Sequence, residues 1–162
     1  TPFGYLPGCV LNGAGPVNPD FRDLFAEFNT HRVEFLVVGA HALAVHGHVR
    51  ATRDLDVWVR PEPENAQRIL RARASFGAAT HELNADELGR PGLVFQIGVP
   101  PVRIDIITSI SGVEFDEAWN TRVVTRFSDQ EVGVLSREHL IRNKRASGRT
   151  QDLADLEALE DR

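Results

Sequence analysis

The feature that most constrains this chain is a glycine corner followed by a doublet of acids. Glu34-Phe35-Leu36-Val37-Val38 is a short apolar run that stops at Gly39. Helix-permissive sequence covers residues 40–45, and Asp54-Leu55-Asp56-Val57-Trp58-Val59 then alternates as a half-buried strand. Strand, glycine, helix and second strand, in that order, call for an α/β (α+β) domain with a mixed sheet flanked by helices. Residues i and i+2 of a strand share a face. Asp54 and Asp56 are therefore expected on one side, with Cα atoms ~6–7 Å apart, while Leu55, Val57 and Val59 enter the core on the other.

The remaining sequence fits one such domain. Asn18-Pro19 caps and starts a helix over residues 19–30, with Phe21, Leu24, Phe25 and Phe28 at helical spacing. A second helix is predicted over 61–76, stopping at Gly77, and Asn84 is a cap for a short one. Strands over 93–97 and 102–107 are joined by Gly98-Val99-Pro100-Pro101. A short helix at 115–119, a hairpin of 121–127 with 131–135, and helices over 136–146 and 150–159 complete the order. Residues 1–18, dense in proline and glycine, read as an irregular lead-in to a domain spanning 19–162.

Composition narrows the function classes. A length of 162 residues suits one domain, and 42% hydrophobic with 25% charged residues excludes disordered and fibrous classes. No window approaches the ~18 apolar residues of a membrane span. Cys9, the single cysteine, excludes an internal disulfide or a thiolate-rich metal cage. With no secretory signal visible, the expected location is cytoplasmic. A net charge of −5 argues against a dedicated duplex-binding face, yet leaves room for a local phosphate pocket.

The chemistry centres on three acids. Two like charges close together on a sheet repel unless a cation lies between them. Hard carboxylate oxygens suit Mg²⁺, which takes one or two carboxylates plus substrate phosphates. The competing reading pairs the acids with Arg50, Arg53 or Arg60. A third acid, Asp105, sits among β-branched residues in Val102-Arg103-Ile104-Asp105-Ile106-Ile107. If that strand lies beside the Asp54 strand, three carboxylates converge, enough for a two-metal site. At the glycine corner itself, unpaired N–H groups at the start of a helix favour an anion.

Gly39-Ala40, then Asp54-x-Asp56, then Asp105 among apolar residues resembles the signature of the DNA polymerase beta-like nucleotidyltransferase superfamily. With Arg50-x-Thr52 ahead of the acids and His41 after the corner, the chain looks more narrowly like the small bacterial nucleotidyltransferases, which include abortive-infection toxins. The likeness spans about residues 33–159. It implies a nucleoside triphosphate whose phosphates lie on Gly39, Ala40 and His41. Asp54, Asp56 and Asp105 would hold two Mg²⁺ ions, with Mn²⁺ as a substitute, and Asp105 would also relay the proton of the acceptor hydroxyl. A nucleoside monophosphate would pass to that hydroxyl with loss of pyrophosphate. The superfamily commonly has serine where this chain has Ala40, which weakens the phosphate contact while keeping the backbone N–H.

The C-terminal segment points the same way. Residues 137–149 carry Arg137, Arg142, Lys144, Arg145 and Arg149 against Glu138 alone, whereas 151–161 carry five acids and no base. The resemblance makes Asn143-Lys144 … Gly148-Arg149 … Gln151-Asp152 a phosphate-binding and site-closing element. The plainer reading is a solvated helix end followed by an acidic first turn. Arg50 and Arg53 are either phosphate clamps or partners of the acids. His46-x-His48 lacks the further ligands a zinc site needs. The acceptor is an RNA end, a protein side chain or a small molecule, and a partner protein or a homodimer groove could help to supply its site. A toxin–antitoxin role follows from the narrower resemblance. The alternative is a catalytically silent nucleotide-binding module acting as a regulator or antitoxin partner.

Overall fold

A computed structural model describes residues 4–10, 19–76, 84–97 and 103–160. The expected cap at Asn18, the helix stop at Gly77 and the 98–101 connection lie outside these residues. The strands are β1 (Gly4–Val10), β2 (Phe35–Val38), β3 (Asp54–Val59), β4 (Val94–Ile97), β5 (Arg103–Ile107), β6 (Val123–Phe127) and β7 (Gln130–Val134). The helices are α1 (Pro19–Thr30), α2 (Gly39–Val45), α3 (Pro63–Phe76), α4 (Ala85–Leu88), α5 (Phe115–Asn120), α6 (Arg137–Ser147) and α7 (Thr150–Glu160). The described strands form one mixed sheet in the order β1-β6-β7-β2-β3-β5-β4.

β2, wholly buried, and β3 occupy the middle of the sheet as an antiparallel pair, with Val37 opposite Val57 and Val38 opposite Asp56. Alternation gives the sheet two different faces. On one, Phe25 and Phe28 of α1 pack on Phe35 of β2 with ring centroids 5.7 and 5.2 Å apart, and Leu55, Val57 and Val59 are fully buried. On the other, Trp58 follows Asp54 and Asp56 and meets Phe115 of α5 edge-on at 5.0 Å. The acids therefore share their face with an aromatic cluster that covers its far end.

Local chemistry sets the element ends. Ser136 caps α6 by accepting from the His139 N–H, and Asn84 caps α4 by accepting from the Glu87 N–H. α3 begins at Pro63, two residues later than the periodicity predicts, because proline fits the first helical turn. The largest departure is residues 4–10, where an irregular lead-in is expected and the chain instead forms β1, parallel to β6. Pro7 and the neighbouring glycines argue against a central strand, but β1 lies at the sheet edge, where a residue lacking an N–H is tolerated.

Candidate active site

β3 and β5 run parallel, with Asp54 beside Arg103 and Asp56 beside Asp105. Because i and i+2 share a face, Asp54, Asp56 and Asp105 all point to the same side of the sheet. Thr52 orders the entry to β3, its hydroxyl accepting from the Asp54 N–H at 3.1 Å. Gly39, at the end of β2, has φ +69, and a Cβ there would collide with a carboxylate oxygen of Asp56. Only glycine combines that backbone conformation with so close an approach.

The acids are not neutralised evenly. Arg103 Nη2 donates to Asp54 Oδ2 at 3.2 Å, and its Nε lies 3.4 Å from Asp105 Oδ1. Asp56 forms no ion pair among the described residues. Burial, the charge of Asp105 and a hydrogen bond shared with it, and the charge of Asp54 push the Asp56 carboxyl up to about 6, with Lys144 opposing. Burial likewise raises Asp105, against the pull of Arg103.

These residues fit a hard divalent cation. Asp56 and Asp105 are adjacent oxygen donors that hold a proton more tightly than ordinary carboxylates, and Asp105 Oδ1 is buried without a hydrogen bond. Among the described residues, no three His, Cys, Asp or Glu side chains already form a ligating group. The third carboxylate, Asp54, is engaged by Arg103. As the structure stands, the pair that fits a cation is Asp56 with Asp105, the two acids that make no hydrogen bond to Arg103.

Above Asp56 opens a cleft of about 480 Å³. Val38 and Gly39 form one wall and Val94 with Ile107 another. Ser109, Ile110 and Ser111 line it from the loop after β5, and Asn143, Lys144, Ser147 and Arg149 from the end of α6. The Asn143 amide donates to the Ser111 carbonyl at 3.0 Å, tying that loop to the helix. A larger depression of about 710 Å³ between α3 and α4 includes none of the three aspartates.

The predicted phosphate ligands fall into three groups. Lys144, on the last turn of α6, and Arg149 reach the cleft, Arg149 just after Gly148, whose left-handed φ of +67 ends α6 and turns the chain into α7. Lys144 is only 4% exposed. Its Nζ lies 3.1 Å from Asp152 and 3.2 Å from Asp155, so it is a fixed charge and not the solvated helix end of the plainer reading. Arg149 is held by Asp152 at 2.7 Å but keeps 78% of its side chain in solvent. Burial works to raise Asp152, yet hydrogen bonds from Arg149, Ser147 and Lys144 hold it far below the usual carboxylate range.

Arg50 forms the second group. It neither pairs with Asp54 or Asp56 nor lines the cleft; it turns to Asp155 of α7 at 3.3 Å. Arg53 is exposed outside the cleft, and Arg60 pairs with Glu34 and Asp116. The third group is the corner itself. Gly39 lines the cleft, Ala40 is buried in α2, and His41 is buried with its ring edge-on to Phe21 at 5.6 Å, outside the cleft lining. Nearby, His46 Nε2 donates to the Leu135 carbonyl at 2.8 Å, and burial lowers its pKa. Sequence reasoning passed over Arg103, Asp155, Ser109 and Ser111. Only Arg103 carried a legible signal, its i−2 spacing from Asp105 on a strand.

Solved structures share this architecture, among them the following two. A Thermotoga maritima protein provisionally called a nucleotidyltransferase superposes over 93% of this chain and 99% of its own, with a TM-score of 0.58 at 16% identity. A lincosamide antibiotic adenylyltransferase, solved with lincomycin bound, matches over 90% of this chain and 98% of its own, with a TM-score of 0.55 at 14% identity. The chain has the nucleotidyltransferase fold. No family profile matches it, and no curated protein sequence does so significantly. The nucleotidyltransferase fold is thus shared at identities where sequence alone gives no match. Among the described residues, no helix is long and apolar enough to cross a membrane.

Proposed function

We propose that the protein transfers a nucleoside monophosphate from a nucleoside triphosphate to a hydroxyl acceptor, with release of pyrophosphate. The observation that carries this reading is the β3–β5 register, which sets Asp56 beside Asp105 with Asp54 on the same face, next to the Gly39 corner. If bound to these carboxylates, Mg²⁺ or Mn²⁺ would supply charge stabilisation for the triphosphate and the attacking oxygen. Asp56 and Asp105 would hold the ions, with Asp54 as the third carboxylate available on the same face. Asp105 accepts the hydroxyl proton. Arg149, largely in solvent, binds phosphate oxygens as Lys144 supplies fixed positive charge behind them. Catalysis of this kind rests on positioning and electrostatics more than on covalent chemistry.

The acceptor is an RNA end, a protein side chain or a small molecule. The lincosamide adenylyltransferase offers a precedent for a small hydroxylated acceptor on a chain of similar extent. A toxin–antitoxin role is part of the same reading where the acceptor is RNA or protein. The alternative, a silent nucleotide-binding module, draws on the arginine held between Asp54 and Asp105 and on Ala40 at the corner.

Incubation with each labelled triphosphate, Mg²⁺ and a cell extract tests the activity. Label is expected on one acceptor class and is expected to disappear in Asp56→Asn and Asp105→Asn, a loss of about 1,000-fold or more if the acids hold the reacting charge. Metal-dependent triphosphate binding without transfer would select the silent module. Full turnover by either variant would remove that acid from the mechanism.

A further inference from the structure

Arg103 stands two residues before Asp105 on β5, and the parallel register sets it directly beside Asp54 on β3. Its guanidinium therefore spans two strands within the acidic face. The two contacts are unequal. Toward Asp54 it makes a hydrogen bond of 3.2 Å. Toward Asp105 it makes only a charge contact of 3.4 Å, in which Arg103 Nε and Asp105 Oδ1 are both shut off from solvent and neither is hydrogen-bonded. Buried polar atoms so placed lose their hydration without full compensation, so the contact is readily exchanged for a better cation. More than a third of the Arg103 side chain is exposed, which gives it a route outward.

We propose that Arg103 is the resident cation of this site. It neutralises Asp54 and Asp105 while no divalent ion is bound, releases them when metal arrives, and so sets the metal concentration at which the site fills. The inference rests on the nucleotidyl-transfer reading. Arginine suits the role because its planar fork reaches two carboxylates at once and is weakly hydrated. A divalent ion displaces it by carrying twice the charge and binding oxygen directly. Removal of Arg103 leaves three facing acids with no ion-paired cation among the described residues, so the metal-free protein loses stability as its affinity for a cation rises.

Calorimetric titration of the full chain with Mn²⁺ near neutral pH, without nucleotide, tests this in wild type, Arg103→Gln and Arg103→Lys. The glutamine variant is expected to bind Mn²⁺ about tenfold more tightly and to melt lower than wild type until Mn²⁺ is added. The lysine variant, a point charge that cannot fork, is expected between the two. If the glutamine variant does not fold, the lysine variant decides the matter, and an unchanged affinity there overturns the assignment. Binding by wild type with equal or weaker binding by the glutamine variant overturns the Arg103 role alone. No Mn²⁺ binding by any of the proteins, with or without ATP, overturns the metal-dependent reading as well. Binding by the glutamine variant only would support the proposal most strongly.

Discussion

Two groups of acids, one partly buried and one fully buried, lie within electrostatic reach of one another, and they are treated in opposite ways. On the sheet, Asp54, Asp56 and Asp105 face each other with Arg103 as their one ion-paired cation among the described residues. Between α6 and α7, Asp152 and Asp155 are met by Lys144, Arg149 and Arg50, with Ser147 and Gln151 donating as well. The titration directions follow. Asp56 is pushed up to about 6, and Asp152 is held far down. The lesson is one of division: every acid of the helical group is ion-paired and fixes geometry, whereas on the sheet Asp56 has no ion-paired cation among the described residues.

Breaking the balanced group should cost the most stability. Asp155→Asn removes the partner of Arg50 and one of the two partners of Lys144, and Lys144 is too deeply buried to recover its hydration. Urea unfolding at neutral pH is expected to show a loss of about 3 kcal/mol, the range for removing one partner of a buried ion pair. A loss under ~0.5 kcal/mol would mark these ion pairs as surface-like and dissolve the contrast between the two groups.

Acidification should sharpen the contrast by its sign. The folded Asp56 carboxyl lies above its ordinary value of 3.8, at about 6, so its contribution is fully present below about pH 4 and is lost as pH rises through 6. Asp152 behaves inversely: its stabilisation is present above the ordinary carboxylate range and disappears only as pH falls through its depressed folded value. Between pH 7 and pH 5, metal-free wild type is therefore expected to gain on the order of 1 kcal/mol relative to Asp56→Asn, which carries no such proton. Unfolding curves of both proteins at the two pH values read the difference directly. Equal pH dependence would mean that Asp56 is compensated after all.

The sheet group was largely legible in the sequence because strand alternation is local. Asp54-x-Asp56 against Leu55, Val57 and Val59 specifies one face without further information. The partner of those acids was not legible. Arg50, Arg53 and Arg60 are near in sequence, but the cation in place is Arg103, supplied by a parallel register between strands about fifty residues apart. The pairing inside the helical group was hidden for a different reason. The acid run at 151–161 looks solvated, yet Asp152 and Asp155, at i and i+3, face inward while Leu153 is 53% exposed. That inverted pattern makes sense only once Lys144, the single lysine, is found buried beneath it. His41 shows the limit of analogy: its position after the corner suggests phosphate, but the helix turns its ring onto Phe21.

Arg149 belongs to both groups and offers the finest test. Hydrogen bonding to Asp152 comes first among the causes that raise its pKa, and the charge of Asp56 adds to it, yet most of the side chain is in water. An exposed ion pair contributes about 0.2–1 kcal/mol, so Arg149→Ala should barely move the unfolding midpoint. Its cost should instead appear in the triphosphate KM, raised about tenfold with kcat nearly unchanged, as expected for a group that binds substrate and transition state alike. Lysine at the same position should recover part of the loss, because charge survives but the fork does not. A fall in kcat with KM unchanged would move Arg149 from holding the triphosphate to stabilising the transition state. That outcome would erase the division between a structural helical group and a reactive sheet group at the one residue that joins them.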